Sequence, residues 1–438
     1  MRRAMKNFFA CLALAAALPA CLPPKVRGAG YPDINFTGYQ ETPFADPLGG
    51  GLAAGYAVAS DGRGDILISG VFADKSGADR MATMRLERDG TLDRRFGAQG
   101  LVYFPEGAMD WGTAMAMDGG GRILIAGSQG PRFGQSDAVV LRRLLRRGNP
   151  DPIFARGGLS RVAGPFGGRA AAYAVAPRGD GALVGGMASG PQGQSWGALW
   201  RFDDDGELKK TFGRGGVALF PAPPGYSSEI RALLPQKDGS VLAAGTWAGH
   251  VAIWNILPGG LRDRSFGRRG MTIGPWGQAR ALAAGAGGAL WLGGFVTLYN
   301  PVTGTASKQL PALVRFTAAG VLDESFGRRG AEFMQVPDFS RSAQIFALAS
   351  SPQGVLYAAG DAGGALKRAC FWALNADGRP DARFGAGGMM ALPNAAGSDD
   401  DRVYALAFDR HGRLIASGMS RAKTGAVRLA LWRVLPAR

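Results

Sequence analysis

Cysteine and histidine are scarce in this chain, which has three cysteines and two histidines among 438 residues. Cys11 and Cys21 lie near the amino terminus, so Cys370 is alone in the rest of the chain and no disulfide can form there. His250 and His411 lie far apart in the sequence, which argues against a histidine-based metal or catalytic centre. We therefore expect neither a metal ion nor a cofactor.

Sequence signatures of common enzymes are missing as well. The chain contains no Gly-Lys-Ser/Thr phosphate loop, no Gly-x-Ser-x-Gly elbow, no Cys-x-x-Cys pair and no His-Glu-x-x-His motif. No catalytic residue is therefore predicted. An active site assembled from scattered loop residues would escape this reasoning, so an enzyme remains an alternative.

Acidic residues are few relative to basic ones, and the formal net charge is +16. The arginines are spread along the whole chain instead of forming one basic tract, which argues against a nucleic-acid partner. Anionic lipid headgroups or lipopolysaccharide suit this charge better. A general effect on solubility is the simplest explanation.

The amino terminus has the features of a bacterial export signal. Arg2, Arg3 and Lys6 precede an apolar run at 8–18, which is too short to cross a bilayer as a helix. The following Leu-Pro-Ala-Cys at 18–21 resembles a lipobox, in which Cys21 would be lipidated. We expect a signal peptide at 1–20, a tether at 21–30, and export as an outer-membrane lipoprotein. Plain secretion to the periplasm or the medium is the alternative.

Glycine is abundant, with 70 residues, and it recurs at fixed places in a repeated motif. The clearest copy is Leu-Asp-Arg-Arg-Phe-Gly-Ala-Gln-Gly at 92–100. Self-similarity at a fixed period indicates repeated supersecondary units. The phenylalanine of the motif recurs every 54 to 60 residues, at Phe36, Phe96, Phe154, Phe212, Phe266, Phe326 and Phe384.

Each repeat contains four short segments with the pattern of β-strands. An Ala-rich strand, a glycine turn and an apolar strand come first, as at 56–70, and a third strand and the motif with a fourth strand follow. Four antiparallel strands per repeat are typical of a propeller blade. The sequence therefore predicts an all-β, seven-bladed β-propeller, with the Ala-rich strands innermost and each phenylalanine between neighbouring blades.

The two ends of the propeller are predicted to share one blade. The last repeat stops after its third strand near Trp432, whereas Asp33 and Phe36 belong to a motif that lacks upstream strands. We expect residues 31–45 to supply the outer strand beside 403–435, which would close the ring and cover exposed sheet edges. Residues 31–438 would then form one propeller, which we expect to be a monomer.

The repeat resembles that of a known family. Gly-x-Ile-Leu-x-x-Gly followed by Arg-Leu-x-x-x-Gly-x-Leu-Asp-x-x-Phe-Gly-x-x-Gly, at about 58 residues, is similar to the delta-60 repeat of bacterial secreted proteins. The resemblance covers residues 31–435. It implies a propeller-type fold, and it implies no activity and no catalytic residues.

The Asp of the motif has two possible roles. An Arg lies eight residues before it in several repeats, so the two side chains could pair. The repeat with Arg201 has Lys209 in place of the Asp, and Asp263 follows Asn255 instead of an Arg. We therefore interpret the Asp mainly as a turn residue, with the ion pair optional.

Loops that enter the inner strands supply the candidate binding residues, because loops carry function on such scaffolds. Trp111 and Trp276 could stack on a sugar or a peptide, or could instead fill gaps between blades. Adjacent carboxylates could attract Ca²⁺, although the spaced pattern of a calcium loop is missing. The remaining candidates are the run Asp399, Asp400, Asp401 and Arg402.

The leading functional hypothesis is a non-enzymatic binding or scaffold module at the bacterial cell envelope, with an envelope protein or glycan as partner. The alternative is an envelope or extracellular enzyme, such as a polysaccharide lyase or hydrolase, with its site at the mouth of the propeller channel. A weaker third option is an adhesin, suggested by Arg-Gly-Asp at 63–65 and 178–180.

Overall fold

The structure, a computed structural model, describes residues 48–104, 109–131, 135–299, 306–336, 342–364, 366–392 and 397–437. These residues form β-strands almost throughout, with one short 3-10 helix at Ala286–Gly288. The strands in chain order are β1 (Gly49–Ser60), β2 (Ile66–Asp74), β3 (Asp79–Leu86), β4 (Leu101–Tyr103), β5 (Met109–Met117), β6 (Ile123–Gly130), β7 (Ala138–Leu144), β8 (Leu159–Ala163), β9 (Ala170–Arg178), β10 (Gly181–Ser189), β11 (Ser195–Phe202), β12 (Val217–Phe220) and β13 (Ser228–Pro235). They continue with β14 (Val241–Trp247), β15 (His250–Ile256), β16 (Met271–Ala284), β17 (Leu290–Tyr299), β18 (Ala306–Phe316), β19 (Ala331–Phe333), β20 (Ala343–Ser350), β21 (Leu356–Gly363), β22 (Lys367–Leu374), β23 (Met389–Leu392), β24 (Gly397–Phe408), β25 (Leu414–Ala422) and β26 (Val427–Val434).

Consecutive strands pair antiparallel in sets of four. The sets β5–β8, β9–β12 and β20–β23 are separate four-stranded sheets. In a fourth sheet, β13–β19, the long strand β16 pairs with β15 near its start and with β17 over the rest of its length. One strand therefore ends one set and begins the next. The predicted all-β fold of four-stranded antiparallel sheets is confirmed.

The fifth sheet brings together the two ends of the described chain. It contains β24, β25 and β26 followed by β1, β2, β3 and β4. Leu52 of β1 pairs in parallel with Val427 of β26. The predicted strand at 31–45, with Phe36, lies outside the described residues.

The first strand of each set lies against the first strands of its neighbours. Contacts join β1 to β5, β5 to β9, β9 to β13, β13 to β16, β16 to β20, β20 to β24 and β24 to β1. These strands are rich in alanine, as in β9, where Ala170, Ala172 and Ala176 are buried. Small side chains allow the strands to approach closely, so the first strands form the inside of the molecule.

The repeated phenylalanine packs against a glycine of the next repeat. Phe266 is 4% exposed, and a Cβ atom added at Gly320 would lie 2.4 Å from two of its ring carbons. Gly320 has a φ of +75°, a backbone conformation that favours glycine. The same contact recurs in the pairs Phe96–Gly148, Phe154–Gly206, Phe212–Gly260 and Phe326–Gly378, and Phe384 is buried as well.

The Asp of the motif is both a turn residue and an ion-pair partner. Arg143 Nε donates to Asp151 Oδ2 at 2.8 Å, while Asp151 Oδ1 accepts the backbone N–H two residues later. The pair interpreted as optional therefore forms here. Where Lys209 replaces the Asp, Arg201 and Lys209 both pair with Asp180, which the sequence analysis did not foresee. A carboxylate from the turn between β9 and β10 thus replaces the missing Asp as the partner of the arginine.

No helix among the described residues is long and apolar enough to cross a membrane.

Candidate functional site

Each first strand carries a β-bulge near its middle, which leaves one residue without a paired partner. A bulge re-aims a side chain, and bulges are frequent beside functional sites. In all seven strands the extra residue directly precedes an alanine, and all seven are half-buried. These residues, the bulge row, are Tyr56, Thr113, Tyr173, Arg231, Arg280, Phe346 and Tyr404.

Most members of the bulge row contact each other across neighbouring strands. The rings of Tyr56 and Tyr404 stack with centroids 4.8 Å apart, and Tyr404 meets the edge of Phe346 at 5.2 Å. The guanidinium of Arg280 lies 4.9 Å from the centre of the Phe346 ring. That of Arg231 lies 3.8 Å from the centre of the Tyr173 ring. Aromatic and cationic side chains from different sheets therefore share one region of the interior.

At four of the seven bulges the residue two positions earlier is polar: Glu229, Gln278, Gln344 and Arg402. Arg231 Nη2 donates to Glu229 Oε2 at 2.8 Å, and Arg280 Nη2 donates to Gln278 Oε1 at 3.3 Å. The residues two positions after the bulges are apolar and mostly half-buried: Val58, Met115, Val175, Leu233, Leu282, Leu348 and Leu406. We call Tyr56, Tyr173, Glu229, Arg231, Arg280, Phe346 and Tyr404 the inner cluster.

The two arginines of the inner cluster differ in their electrostatic balance. Burial lowers the pKa of Arg231, but the Glu229 carboxylate outweighs this effect and the pKa is raised. Burial, followed by repulsion from Arg231, lowers the pKa of Arg280 to about 10. Among the described residues no carboxylate lies within ion-pair distance of Arg280. Within the described residues Arg280 is thus a partly buried cation that Glu229 and Asp361 attract only from beyond ion-pair distance.

The three tyrosines of the inner cluster keep their protons at neutral pH. Burial raises the pKa of Tyr56, Tyr173 and Tyr404, and for Tyr404 the neighbouring Tyr56 adds to the effect. Each phenol can therefore donate as well as accept a hydrogen bond.

A buried carboxyl group lies close to the cluster. Asp361 of β21 is 0% exposed, and within the described part of the chain neither oxygen has a hydrogen bond of ordinary geometry, although Gln344 is close enough to lower the pKa of the carboxyl. Its closest ion-pair partner is Lys367 Nζ, at 3.8 Å from Oδ1. Burial raises the pKa of Asp361, against the attraction of Lys367 and Arg402. A buried carboxyl with a raised pKa beside cations is a common feature of functional sites.

The two predicted tryptophans differ in their exposure. Trp111 is 3% exposed, and its Nε1 donates to Asp79 Oδ2 at 3.0 Å, so it packs between strands. Trp276 is 42% exposed and lies over His250 with ring centroids 4.2 Å apart. Ligand contact by either tryptophan stays a prediction.

The predicted acidic run is only partly described. Asp400 and Asp401 are buried, and Asp400 Oδ2 accepts from Arg421 Nε at 2.9 Å. The side chain of Asp399 lies outside the described residues. Arg402 is half-buried beside the inner cluster, where its charge lowers the pKa of Tyr404 against the effect of burial.

Sequence reasoning missed the whole inner cluster because it concentrated on loops. A signal was present: in every Ala-rich strand the residue before one particular alanine varies in chemistry. The sequence shows Tyr-Ala at 56–57, 173–174 and 404–405, Thr-Ala at 113–114, Arg-Ala at 231–232 and 280–281, and Phe-Ala at 346–347. Variation at one position of an otherwise constant strand indicates a side chain that is free of a packing role.

A cleft of ≈ 350 Å³ lies elsewhere, at the turns that join β5 to β6 and β9 to β10. Arg122 crosses it, with Nε 2.6 Å from Asp118 Oδ2 and Nη2 3.0 Å from Asp204 Oδ1. Internal ion pairs therefore occupy much of its polar lining. In the part of the chain that is described, no group of three or more His, Cys, Asp or Glu side chains could hold a metal ion.

Comparison with known proteins supports the fold. Residues 59–96 match the family model described as domain of unknown function (DUF5122) beta-propeller. This segment runs from the end of β1 to Phe96. The chain therefore has a β-propeller fold built from repeats. No curated relative matches the sequence.

Several solved structures are similar at low identity. Ulvan lyase, from a family of polysaccharide lyases, is 11% identical with a TM-score of 0.46, covering 93% of this chain and 94% of that chain. An inactive variant of virginiamycin B lyase from Staphylococcus aureus, with quinupristin, is 12% identical with a TM-score of 0.44, covering 87% and 95%. A protein from Lactobacillus plantarum is 14% identical with a TM-score of 0.46, covering 85% and 97%. Similarities this distant do not identify an activity for the chain.

Proposed function

We propose that this protein is an exported, non-enzymatic β-propeller that binds an envelope glycan or protein through its inner cluster. Seven blades would form a closed ring, with residues 31–45 completing the last blade, in the manner of delta-60 repeat proteins. Removal of residues 1–20 and lipidation of Cys21 would hold the propeller at the bacterial outer membrane.

Contacts between the first and last repeats support ring closure. Arg143 Nη1 donates to the carbonyl of Asp204 in the following repeat at 2.8 Å. Arg85 Nη1 donates in the same way to the carbonyl of Arg146 in its following repeat at 3.0 Å. Arg433, in the last repeat, donates in the same way to the carbonyl of Arg88 in the first repeat at 2.7 Å. A recurring contact between successive repeats thus also joins the two ends of the series.

The observation that carries the binding function is the presence of charged and phenolic side chains at the bulges. The interior needs only small or apolar residues for packing, as Leu233, Leu282 and Leu348 provide two positions further along their strands. Placing Arg280 in a partly buried site, with no described carboxylate within ion-pair distance, costs free energy. A ligand that pairs with this cation would offset the cost, which supports a binding role for the cluster.

The test compares three forms of the full chain on a glycan array and in pull-downs from envelope protein fractions. The forms are the wild type, a double variant with Arg231→Ala and Arg280→Ala, and the control Arg379→Ala, whose side chain is 85% exposed. We expect a ligand that wild type and control retain and the double variant loses by more than tenfold. Equal binding by all three forms, or no ligand for any, would contradict the proposal.

A second candidate is a polysaccharide lyase or hydrolase. The observation that favours it is Asp361, a buried carboxyl with a raised pKa beside a cluster of phenols and guanidinium groups. The test is release of new reducing ends or of unsaturated sugars from polysaccharides by wild type and by Asp361→Asn. Turnover that depends on Asp361 would favour the enzyme, and no turnover beside retained binding would favour the binding module.

A further inference from the structure

We propose that the inner cluster recognises an acidic saccharide, and that Arg280 together with Arg231 binds the carboxylate of a uronate residue. This inference rests on the proposed binding function and names the chemical class of its ligand.

The first argument is the imbalance of charge. The cluster holds the guanidinium groups of Arg231 and Arg280 and the Glu229 carboxylate, which is already paired with Arg231 through the contact of 2.8 Å. Asp361 attracts Arg280 only from beyond ion-pair distance. Arg280 has an amide oxygen at 3.3 Å and the face of Phe346 as its partners. A monoanionic group beside Arg280 would neutralise the excess charge and reduce the repulsion between the two arginines.

The second argument is the supply of unused donors. Within the described ranges the Nη1 atoms of Arg231 and Arg280 have no hydrogen-bond partner and are not buried, whereas the Nε atoms are buried as well as unpaired. A guanidinium presents its N–H groups as a planar fork that matches a carboxylate in bidentate geometry. Each arginine thus keeps its Nη1 donor for an external anion after the internal contacts of Nη2 are made.

The third argument concerns the surroundings of the arginines. None of the hydroxyl groups of Tyr56, Tyr173 and Tyr404 has a protein hydrogen-bond partner among the described residues. Protonated phenols donate and accept, as sugar hydroxyls do, and aromatic rings provide faces for sugar rings. A polyhydroxylated ligand uses all of these groups, whereas an acidic peptide would leave most of the hydroxyls without partners.

The test is titration calorimetry of the full chain with trigalacturonate, with neutral maltotriose, and with tetraglutamate as an acidic peptide. We expect trigalacturonate to bind at least tenfold more tightly than either of the others. Arg280→Gln should reduce the affinity for trigalacturonate at least tenfold, and Arg280→Lys should reduce it by a smaller factor. Arg379→Gln should leave this affinity unchanged.

A second measurement keeps the inference testable if the Arg280 variants fail to fold. Phenylglyoxal modifies accessible arginines, and mass spectrometry locates the product. Trigalacturonate should protect Arg280 in the wild type, whereas maltotriose should not.

The outcomes separate this inference from the proposed function. Two results would overturn the proposal of an acidic saccharide. One is that maltotriose or tetraglutamate binds as tightly as trigalacturonate. The other is that Arg280→Gln leaves the affinity for trigalacturonate unchanged. The proposed function still stands in that case if the array ligand depends on Arg231 and Arg280. If none of the three probes binds, and the array and the pull-downs also identify no ligand, both the acidic saccharide and the proposed binding function are overturned.

Discussion

Replacing Gly320 with alanine adds one methyl group at a contact between repeats. At this position φ is +75°, and the new Cβ would lie 2.4 Å from two ring carbons of Phe266, which is itself only 4% exposed. Gly157 is the matched control: its φ is +59°, and a Cβ there would have no atom within 4 Å. The equivalent residues of other repeats, Gln99 and Arg329, already adopt this conformation with side chains. Both substitutions therefore carry the free-energy cost of a left-handed alanine, and only Gly320→Ala adds a steric clash with the ring of Phe266.

The expected magnitudes follow from these two terms. The left-handed conformation costs an alanine about 1–2 kcal/mol, and this applies to both variants. Overpacking of a buried contact adds about 1–3 kcal/mol for Gly320→Ala alone. With an unfolding entropy of about 0.8 kcal/mol/K for a chain of this size, Gly320→Ala should lower Tm by about 3–6 °C. Gly157→Ala should lower it by about 1–2 °C.

Differential scanning calorimetry of wild type and both variants measures the difference. Phe266→Leu provides a further check, because a smaller side chain leaves room for the methyl group and should remove part of the cost specific to Gly320→Ala. Equal Tm values for the two glycine variants would refute the reasoning that the repeats pack phenylalanine directly against this backbone.

Three further predictions concern the buried acid, the contact between terminal repeats and the anchor. Burial raises the pKa of Asp361 above the ordinary 3.8, so the folded state holds its proton more tightly; its contribution to stability is full below 3.8 and declines as pH rises. Asp361→Asn should therefore gain in Tm over wild type between pH 3.5 and pH 7, and a difference that is constant with pH would contradict this. Arg433→Lys should lower the free energy of unfolding by about 1–3 kcal/mol in urea denaturation, because the contact with the Arg88 carbonyl is lost; a loss no greater than that of the exposed control Arg379→Lys would count against the contact. Cys21→Ser should abolish metabolic labelling with palmitate, and persistent labelling would exclude Cys21 as the lipidated residue.

Much of the fold could be predicted because the repeat makes local patterns visible several times. Alternating strands and turn glycines recur in phase, so errors in one copy are corrected by the others. The contact between Phe266 and Gly320 follows from the motif, since both residues occupy fixed positions relative to the strands.

The candidate site was harder to predict, because it depends on how the strands converge. Within a single Ala-rich strand nothing distinguishes Tyr404 or Arg280 from the neighbouring residues. Their position stands out only when all seven strands are compared, and only the fold brings these side chains into one region. Trp111 and Trp276 illustrate the same difficulty: both belong to loop-like sequence, but one is 3% exposed and the other 42%. The pairing of Arg201 with Asp180 also joins residues whose proximity only the fold creates.

A crystal structure of the full chain would test the central claim, the closed ring around the inner cluster, most directly through the position of the segment at 31–45. The account predicts Asp33–Phe36 in an antiparallel strand beside β26 near Trp432, in a ring of seven sheets. A segment located away from β26, or a different number of sheets around the inner strands, would contradict it.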